Sequence, residues 1–475
     1  MNNNNELPES NRRDFLKNAS LASLMAMMGG VELRADDTNK AAASADPGLT
    51  KIPEAPPINV GVIGLGQWGR EILTQLHKLN TDPAREKKNN SPVVAICDTY
   101  KGVFKKALKD SPEAASATTY EDYKQLLADP KVQAVIIATP TGTHKEIVLA
   151  ALAAGKHVYC EAPLANTIED AKIIAKAGRD AVKLVFQPGL QQRSHPQIEF
   201  LLPFIRTGAL GKYVMVRAQW HVNDSWHQTA PTPEREEVLN WKLHQATGTG
   251  LFGEAGIHQI DTVSSFLRGR PKAVTGFSST IRTYTDGRNV PDTVQGVFEF
   301  AHGVNFFHDL TICSSYEKAY EVYLGDQAAM MMRDFKAWLF KELDSPLLGW
   351  EVYARHDTFY KELGIALVAG ASKQTTLAGS AESFNPYDHD PLYYALFAFT
   401  DKAGRQQKEI SEFLETYPDS DAQTIVDHLK GVPAINNKPA ANWQDGLDAT
   451  VMAIIANQAA LNQKKITFEK EWFEL

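Results

Sequence analysis

Ile58-Asn59-Val60-Gly61-Val62-Ile63-Gly64-Leu65-Gly66-Gln67-Trp68-Gly69 is the stretch that decides the fold. Its first six residues form a short apolar run, suited to a strand buried on both faces. Three glycines follow at once, and a helical pattern then continues through Leu79. In a strand–turn–helix setting the glycines have separate tasks. Gly64 permits the tight turn, Gly66 lets the backbone approach a diphosphate, and Gly69 lets helix and strand pack closely. Leu65, Gln67 and Trp68 complete the turn. The free N–H groups at the start of the helix then face the phosphates.

The flanking sequence repeats the theme. Val93–Cys97 is a second apolar run and ends in Asp98, where an acid accepts hydrogen bonds from the adenosine ribose. Such an acid favours NAD over NADP, whose 2′-phosphate would meet like charge. The polar insert Thr81–Asn90 lengthens the usual gap between the glycines and this acid. A third run, Ala134–Ala138, leads into Thr139-Pro140-Thr141-Gly142-Thr143-His144, and a fourth, His157–Cys160, into Glu161-Ala162-Pro163. Helical segments at Tyr120–Ala128, His144–Ala154 and Ile168–Ala181 alternate with these strands, which predicts a doubly wound parallel sheet. Ligands bind at the carboxyl ends of such strands, so Thr139, Pro140, Thr141, His144, Glu161 and Ala162 join the cofactor site.

Beyond Val185 the pattern changes to alternating strands at Tyr213–Trp220, Ala273–Arg282, Asp292–Phe300 and Val304–Ile312, with a helix at Gly256–Leu267. This predicts a second, α+β domain with an open, mainly antiparallel or mixed sheet covered on one face. The division expected is residues 58–187 for nucleotide binding and 188–475 for substrate and self-association, with an insert at about 330–441. Within that insert Met330–Phe340 reads as an aromatic helical stretch, and Asn385–Pro391, ahead of an apolar segment, either caps a helix, as its Asn and Asp favour, or reaches the pocket.

A chain of 475 residues exceeds one core, in keeping with two domains. The net charge of −8 argues against nucleic acid, and small polar substrates fit better. Three cysteines are too few for a disulfide framework. Near the N-terminus, Arg12-Arg13-Asp14-Phe15-Leu16-Lys17 precedes an apolar stretch from Ala19 to Val31 that is too short to span a bilayer. It reads as a twin-arginine signal over residues 1–35, followed by a solvated linker over 36–57, and so as export to the periplasm.

Together with Gly253-Glu254-Ala255-Gly256-Ile257-His258-Gln259-Ile260-Asp261 and a final helix at Gly446–Asn462, these motifs resemble the Gfo/Idh/MocA oxidoreductases, NAD(P)-dependent sugar and polyol dehydrogenases and their relatives. The resemblance runs from about Ile58 to Ile312 and is specific for the family, not for a substrate. It implies a Rossmann domain holding NAD, a carbohydrate substrate, and a homo-dimer or tetramer formed through the exposed sheet. It also implies that His258 is the general acid or base, with Glu254 orienting it or touching a sugar hydroxyl. Their spacing places both on one face if the segment is helical. By position Gln191 approaches the nicotinamide and Arg193 the substrate pocket. Trp241 either stacks on a sugar ring or belongs to the core. A His258/Asp261 metal pair lacks further visible ligands, so no metal is expected.

One departure is chemical. Family dehydrogenases carry Glu-Lys-Pro where this chain has Glu161-Ala162-Pro163, and Lys242 is the candidate to restore the missing charge. Export adds a second constraint, since no free NAD pool exists outside the cytoplasm. A tightly held NAD recycled in place is expected. It would serve either two carbonyl-linked half-reactions or a redox-neutral sequence of oxidation, elimination or epimerisation, and reduction, as in related NAD-dependent glycoside hydrolases. A binding protein that keeps the fold without the chemistry is the reading from another class.

Overall fold

The computed structural model describes residues 54–83, 85, 90–206, 208–333, 336–342, 366–369, 389–436 and 438–475. The expected signal peptide, most of the linker and Asn385–Asp388 lie outside them.

The first domain runs β1 (Val60–Ile63), α1 (Gln67–Thr81), β2 (Val93–Cys97), α2 (Gly102–Asp110), β3 (Thr118–Tyr120), α3 (Tyr123–Ala128), β4 (Ala134–Ile137), α4 (His144–Ala153), β5 (His157–Cys160), α5 (Ile168–Asp180) and β6 (Phe186–Pro188). All six strands are parallel, in the order β3-β2-β1-β4-β5-β6. Every residue of β1, β4 and β5 is buried, which is why they read as unbroken apolar runs. The order of strand addition reverses between β1 and β4, and a crevice opens at their carboxyl ends.

The second domain runs α6 (Pro196–Arg206), β7 (Tyr213–His221), α7 (Pro233–Leu239), a π turn at Phe252–Gly256, α8 (Ile257–Leu267), β8 (Ala273–Ser279), β9 (Thr293–Glu299), β10 (Asn305–Thr311), β11 (Ala319–Gly325), β12 (Ala328–Arg333), β13 (Lys336–Lys341) and β14 (Ala366–Ala369). Then come α9 (Pro391–Thr416), α10 (Ala422–Lys430), α11 (Trp443–Asn462) and β15 (Lys465–Thr467). Nine strands form one sheet in the order β14-β13-β12-β11-β7-β10-β9-β8-β15. Only β7 and β10 pair in parallel, so the sheet is mixed and mostly antiparallel. Burial alternates along β9 and β10, as expected for a sheet covered on one face. α11 lies on that face: a Cβ at Gly276 of β8 would stand 2.7 Å from the Ala460 backbone nitrogen.

Two expectations are corrected. Met330–Arg333 and Lys336–Phe340 are not helical but fall in β12 and β13, which pair antiparallel. α9, expected within the second-domain insert, instead completes the first domain. Its Leu392, Leu396 and Phe399 join the buried cluster of Val60, Val62, Ile72 and Leu76. Gln187 Nε2 donates to the Ala395 carbonyl at 2.9 Å, and the Tyr159 and Phe399 rings meet edge to face.

α11 joins the two domains. It begins in a capping box formed by Asn442 and Asp445. Thr450 Oγ1 then accepts the Leu164 N–H at 3.0 Å, and Gly446 sits where a Cβ would come within 2.5 Å of the Pro188 ring.

Candidate functional site

A cavity of about 1490 Å³ opens at the carboxyl ends of β1, β2, β4 and β5 and continues to the face of the second sheet. Single-ligand pockets usually enclose about 300–1000 Å³, so this one has room for a dinucleotide and a substrate together.

Its first wall is the glycine turn. Gly64 has φ +94°, and a Cβ there would lie 2.5 Å from the Ala138 carbonyl oxygen. A Cβ on Gly69 would strike the Gly64 carbonyl oxygen at 1.9 Å, so helix and turn touch through this hydrogen. Gly66 is different: a Cβ there meets nothing within 4 Å, and the residue lines the cavity with Gln67 and Trp68. That open backbone at the head of α1 fits a diphosphate. Leu65 does not line the cavity; its side chain is core, while its N–H donates to Asp98 Oδ2 at 2.9 Å. Asp98 Oδ1 accepts the Tyr100 N–H at 2.9 Å, so the acid ties the turn to β2 while facing the cavity.

Thr139, Pro140, Thr141 and His144 line the next stretch. The buried His144 ring has one nitrogen 3.0 Å from the Thr139 carbonyl and the other 3.0 Å from that of Pro163. It therefore braces the ends of β4 and β5 against each other. Glu161, Ala162 and Gln191 follow. Burial pushes the Glu161 carboxyl up to about 7, and its Oε1 has no hydrogen-bond partner.

Glu254 and His258 enter from the second domain and line the same cavity. Glu254 stands in the π turn, a one-turn irregularity common at functional sites, and His258 in the first turn of α8. Glu254 Oε1 accepts from Thr249 N at 3.1 Å and Thr249 Oγ1 at 2.6 Å, while burial raises its carboxyl above the usual range. Burial holds the His258 imidazole down to about 4, so the ring is neutral near pH 7, and Nδ1 has no hydrogen-bond partner. A neutral imidazole with an open Nδ1 is in the protonation state that a proton acceptor needs.

Lys242 lies on the short turn Trp241–Leu243. Its charge draws down the carboxyls of both Glu161 and Glu254, which places the ammonium between the two domains' acids. Two indoles flank it, Trp241 at 5.5 Å and Trp226 at 5.7 Å. Among the described residues it makes no ion pair. Trp241 is half-buried and also lines the cavity.

Arg193 is the exception, and the expectation for it is corrected. Its guanidinium is bound by Asp261 at 2.7 and 2.8 Å and by Asp445 at 3.0 Å, and it does not line the cavity. It locks α8 to α11, because a buried guanidinium needs both carboxylates to offset its desolvation. Asp261 is thereby consumed, and no group among the described residues could hold a metal ion.

The sequence reading missed Trp226 and Glu321, both cavity-lining. Trp226 adopts φ +59°, a backbone state no sequence pattern announces for a tryptophan. Burial pushes Glu321 up to about 7. Asp390 stands at the N-cap position of α9 but its side chain makes no capping hydrogen bond; the carboxylate instead accepts from Gln75 Nε2 at 3.1 Å and lines the cavity.

Comparison with known proteins agrees with this geometry. Residues 58–188 match the oxidoreductase family model with an NAD-binding Rossmann fold, and residues 202–329 match the GFO/IDH/MocA C-terminal domain. Inositol 2-dehydrogenase of Salmonella typhimurium is 30% identical over 263 residues, covering 54% of this chain and 68% of that one. The inositol 2-dehydrogenase/D-chiro-inositol 3-dehydrogenase of Lactiplantibacillus plantarum is 27% identical over 263 residues, 55% of this chain and 67% of that one. Among solved structures, levoglucosan dehydrogenase in complex with NADH superposes with a TM-score of 0.63 at 18% identity, covering 87% of this chain and 99% of that one, a likeness of fold. With an open glycine turn, an acid at the end of β2 and a second sheet closing the cavity, the chain belongs to the Gfo/Idh/MocA oxidoreductase family, and its first domain is an NAD-binding Rossmann domain.

Proposed function

We propose that the protein oxidises a hydroxyl of a sugar or polyol, using an NAD that stays bound and is restored in place. The observation that carries this reading is the neutral His258, its Nδ1 without a hydrogen-bond partner, which with Lys242 lines a cavity sized for cofactor and substrate. Gly66, Gln67 and the head of α1 hold the diphosphate, and Asp98 the adenosine ribose. NAD, when bound, supplies the hydride acceptor. His258 takes the hydroxyl proton, Glu254 fixes the substrate from a carboxyl held by Thr249, and Trp241 offers its face to the ring. Inositol and levoglucosan dehydrogenases among the relatives support a cyclic polyol or sugar. Glu161 favours a second, redox-neutral reading: a buried carboxyl near 7 can donate or accept a proton at neutral pH, as elimination from a keto-sugar requires.

Export through the twin-arginine route rests on Arg12-Arg13 and the apolar stretch that follows. The open sheet face carries exposed Val214, Phe277 and Phe307, which supports self-association into a dimer or tetramer.

The test is direct. Purified protein, denatured, should release about one NAD(H) per chain, and the reduced-nicotinamide absorbance should rise when the right sugar is added to the native enzyme. His258→Gln should keep the cofactor and lose roughly 10²–10⁴-fold in rate. Bound NAD that stays spectroscopically silent across a broad panel of sugars and polyols would point to a binding protein instead.

A further inference from the structure

Between the end of β7 and the Lys242 turn, the chain makes a detour through α7 that reaches the first domain. The Arg235 guanidinium lies 4.6 Å over the Tyr100 ring, and Tyr100 is held through its N–H by Asp98 at 2.9 Å. Arg235 and Val238 line the same cavity as Asp98 and Thr99. α7 has no buried residue of its own, and Val238 is 51% exposed although it borders the cavity.

A seven-residue helix without an apolar face does not hold itself in place. Polar braces do so here. Thr232 accepts the Arg235 N–H at 3.3 Å, and Glu236 meets His227 at 3.0 Å. The buried Asn240 accepts the Gln228 N–H and donates to the Gln228 and Glu236 carbonyls, each at 2.8 Å. Arg288 anchors the base of the detour through the Ser225 carbonyl at 2.7 Å. The detour is thus built to a set shape, and its far end meets the ribose-binding strand end.

We infer that α7 is a clasp over the adenosine half of the dinucleotide, closed by the Arg235–Tyr100 contact between the domains, with Val238 packing on the bound cofactor. NAD then leaves only after that contact opens, so the clasp acts on the rate of release. The inference rests on the retained-cofactor reading above and names the residues that would produce it.

The full-length protein, as purified, and its Arg235→Met, Tyr100→Leu and doubly substituted forms are loaded with radiolabelled NAD and chased with an excess of unlabelled NAD. Tyr100→Leu keeps the backbone N–H that Asp98 holds. Each single substitution should speed release roughly two- to fivefold, the scale of one exposed cation–aromatic contact. The double form should be no faster than either single one, and melting temperatures should stay unchanged. Release at the parent rate from both single variants, with the parent itself retaining NAD, overturns the clasp and leaves the retained cofactor standing. A parent that exchanges NAD within the mixing time overturns both.

Discussion

Ala162 leaves a methyl at the end of β5, and Lys242 brings an ammonium to the neighbouring Glu161 from a turn in the other domain. An ammonium beside the reacting hydroxyl stabilises the oxygen as its proton leaves, whichever segment delivers it. Lys242→Met should therefore lower kcat by roughly 10²-fold while leaving NAD content intact. Adding Ala162→Lys to that variant should recover part of the loss; a double variant as slow as Lys242→Met would deny the two positions a shared role. The residue-level reading of the sequence put Gly64, Gly66, Asp98 and Glu161 at strand ends, and all four line the cavity. It failed at Arg193, whose partners Asp261 and Asp445 come from α8 and α11. Ion pairs between distant elements leave no trace in spacing.

At the scale of elements, the π turn Phe252–Gly256 does more than start α8. A Cβ at Gly253 would fall 2.0 Å from Thr249 Oγ1, the hydroxyl that donates to Glu254 at 2.6 Å. Gly253→Ala should push Thr249 away, cost about 1–3 kcal/mol of stability, and reduce turnover, as thermal melts and steady-state rates would record. Unchanged values of both would mean the turn has slack that the geometry does not suggest. The buried parallel strands were legible because covered faces demand unbroken apolar runs. Met330–Phe340 was not, because a short apolar segment with methionines and aromatics satisfies either period, and only its pairing to β11 decides. The π turn was equally invisible, since its residues differ little from those of an ordinary helix start.

Across the whole molecule, burial holds His157, His195 and His258 down to about 4 and His308 to about 3, against about 6.5 when exposed. The unfolded chain binds protons at these sites first, so their contribution is complete above pH 6.5 and declines as pH falls toward 4. Glu161 and Glu321, pushed up to about 7, act in the opposite sense, losing their contribution as pH rises from about 4.5 to 7. The histidines outnumber them, so denaturant titrations should show stability falling from pH 6.5 to 4; a flat profile there would contradict this burial. The return of α9 and α11 to the first domain has a consequence for how the molecule is made. The six parallel strands leave the ribosome well before the helices that cover one of their faces and tie them to the second sheet. A nascent chain therefore presents an uncovered apolar surface through most of translation, a state that invites chaperones.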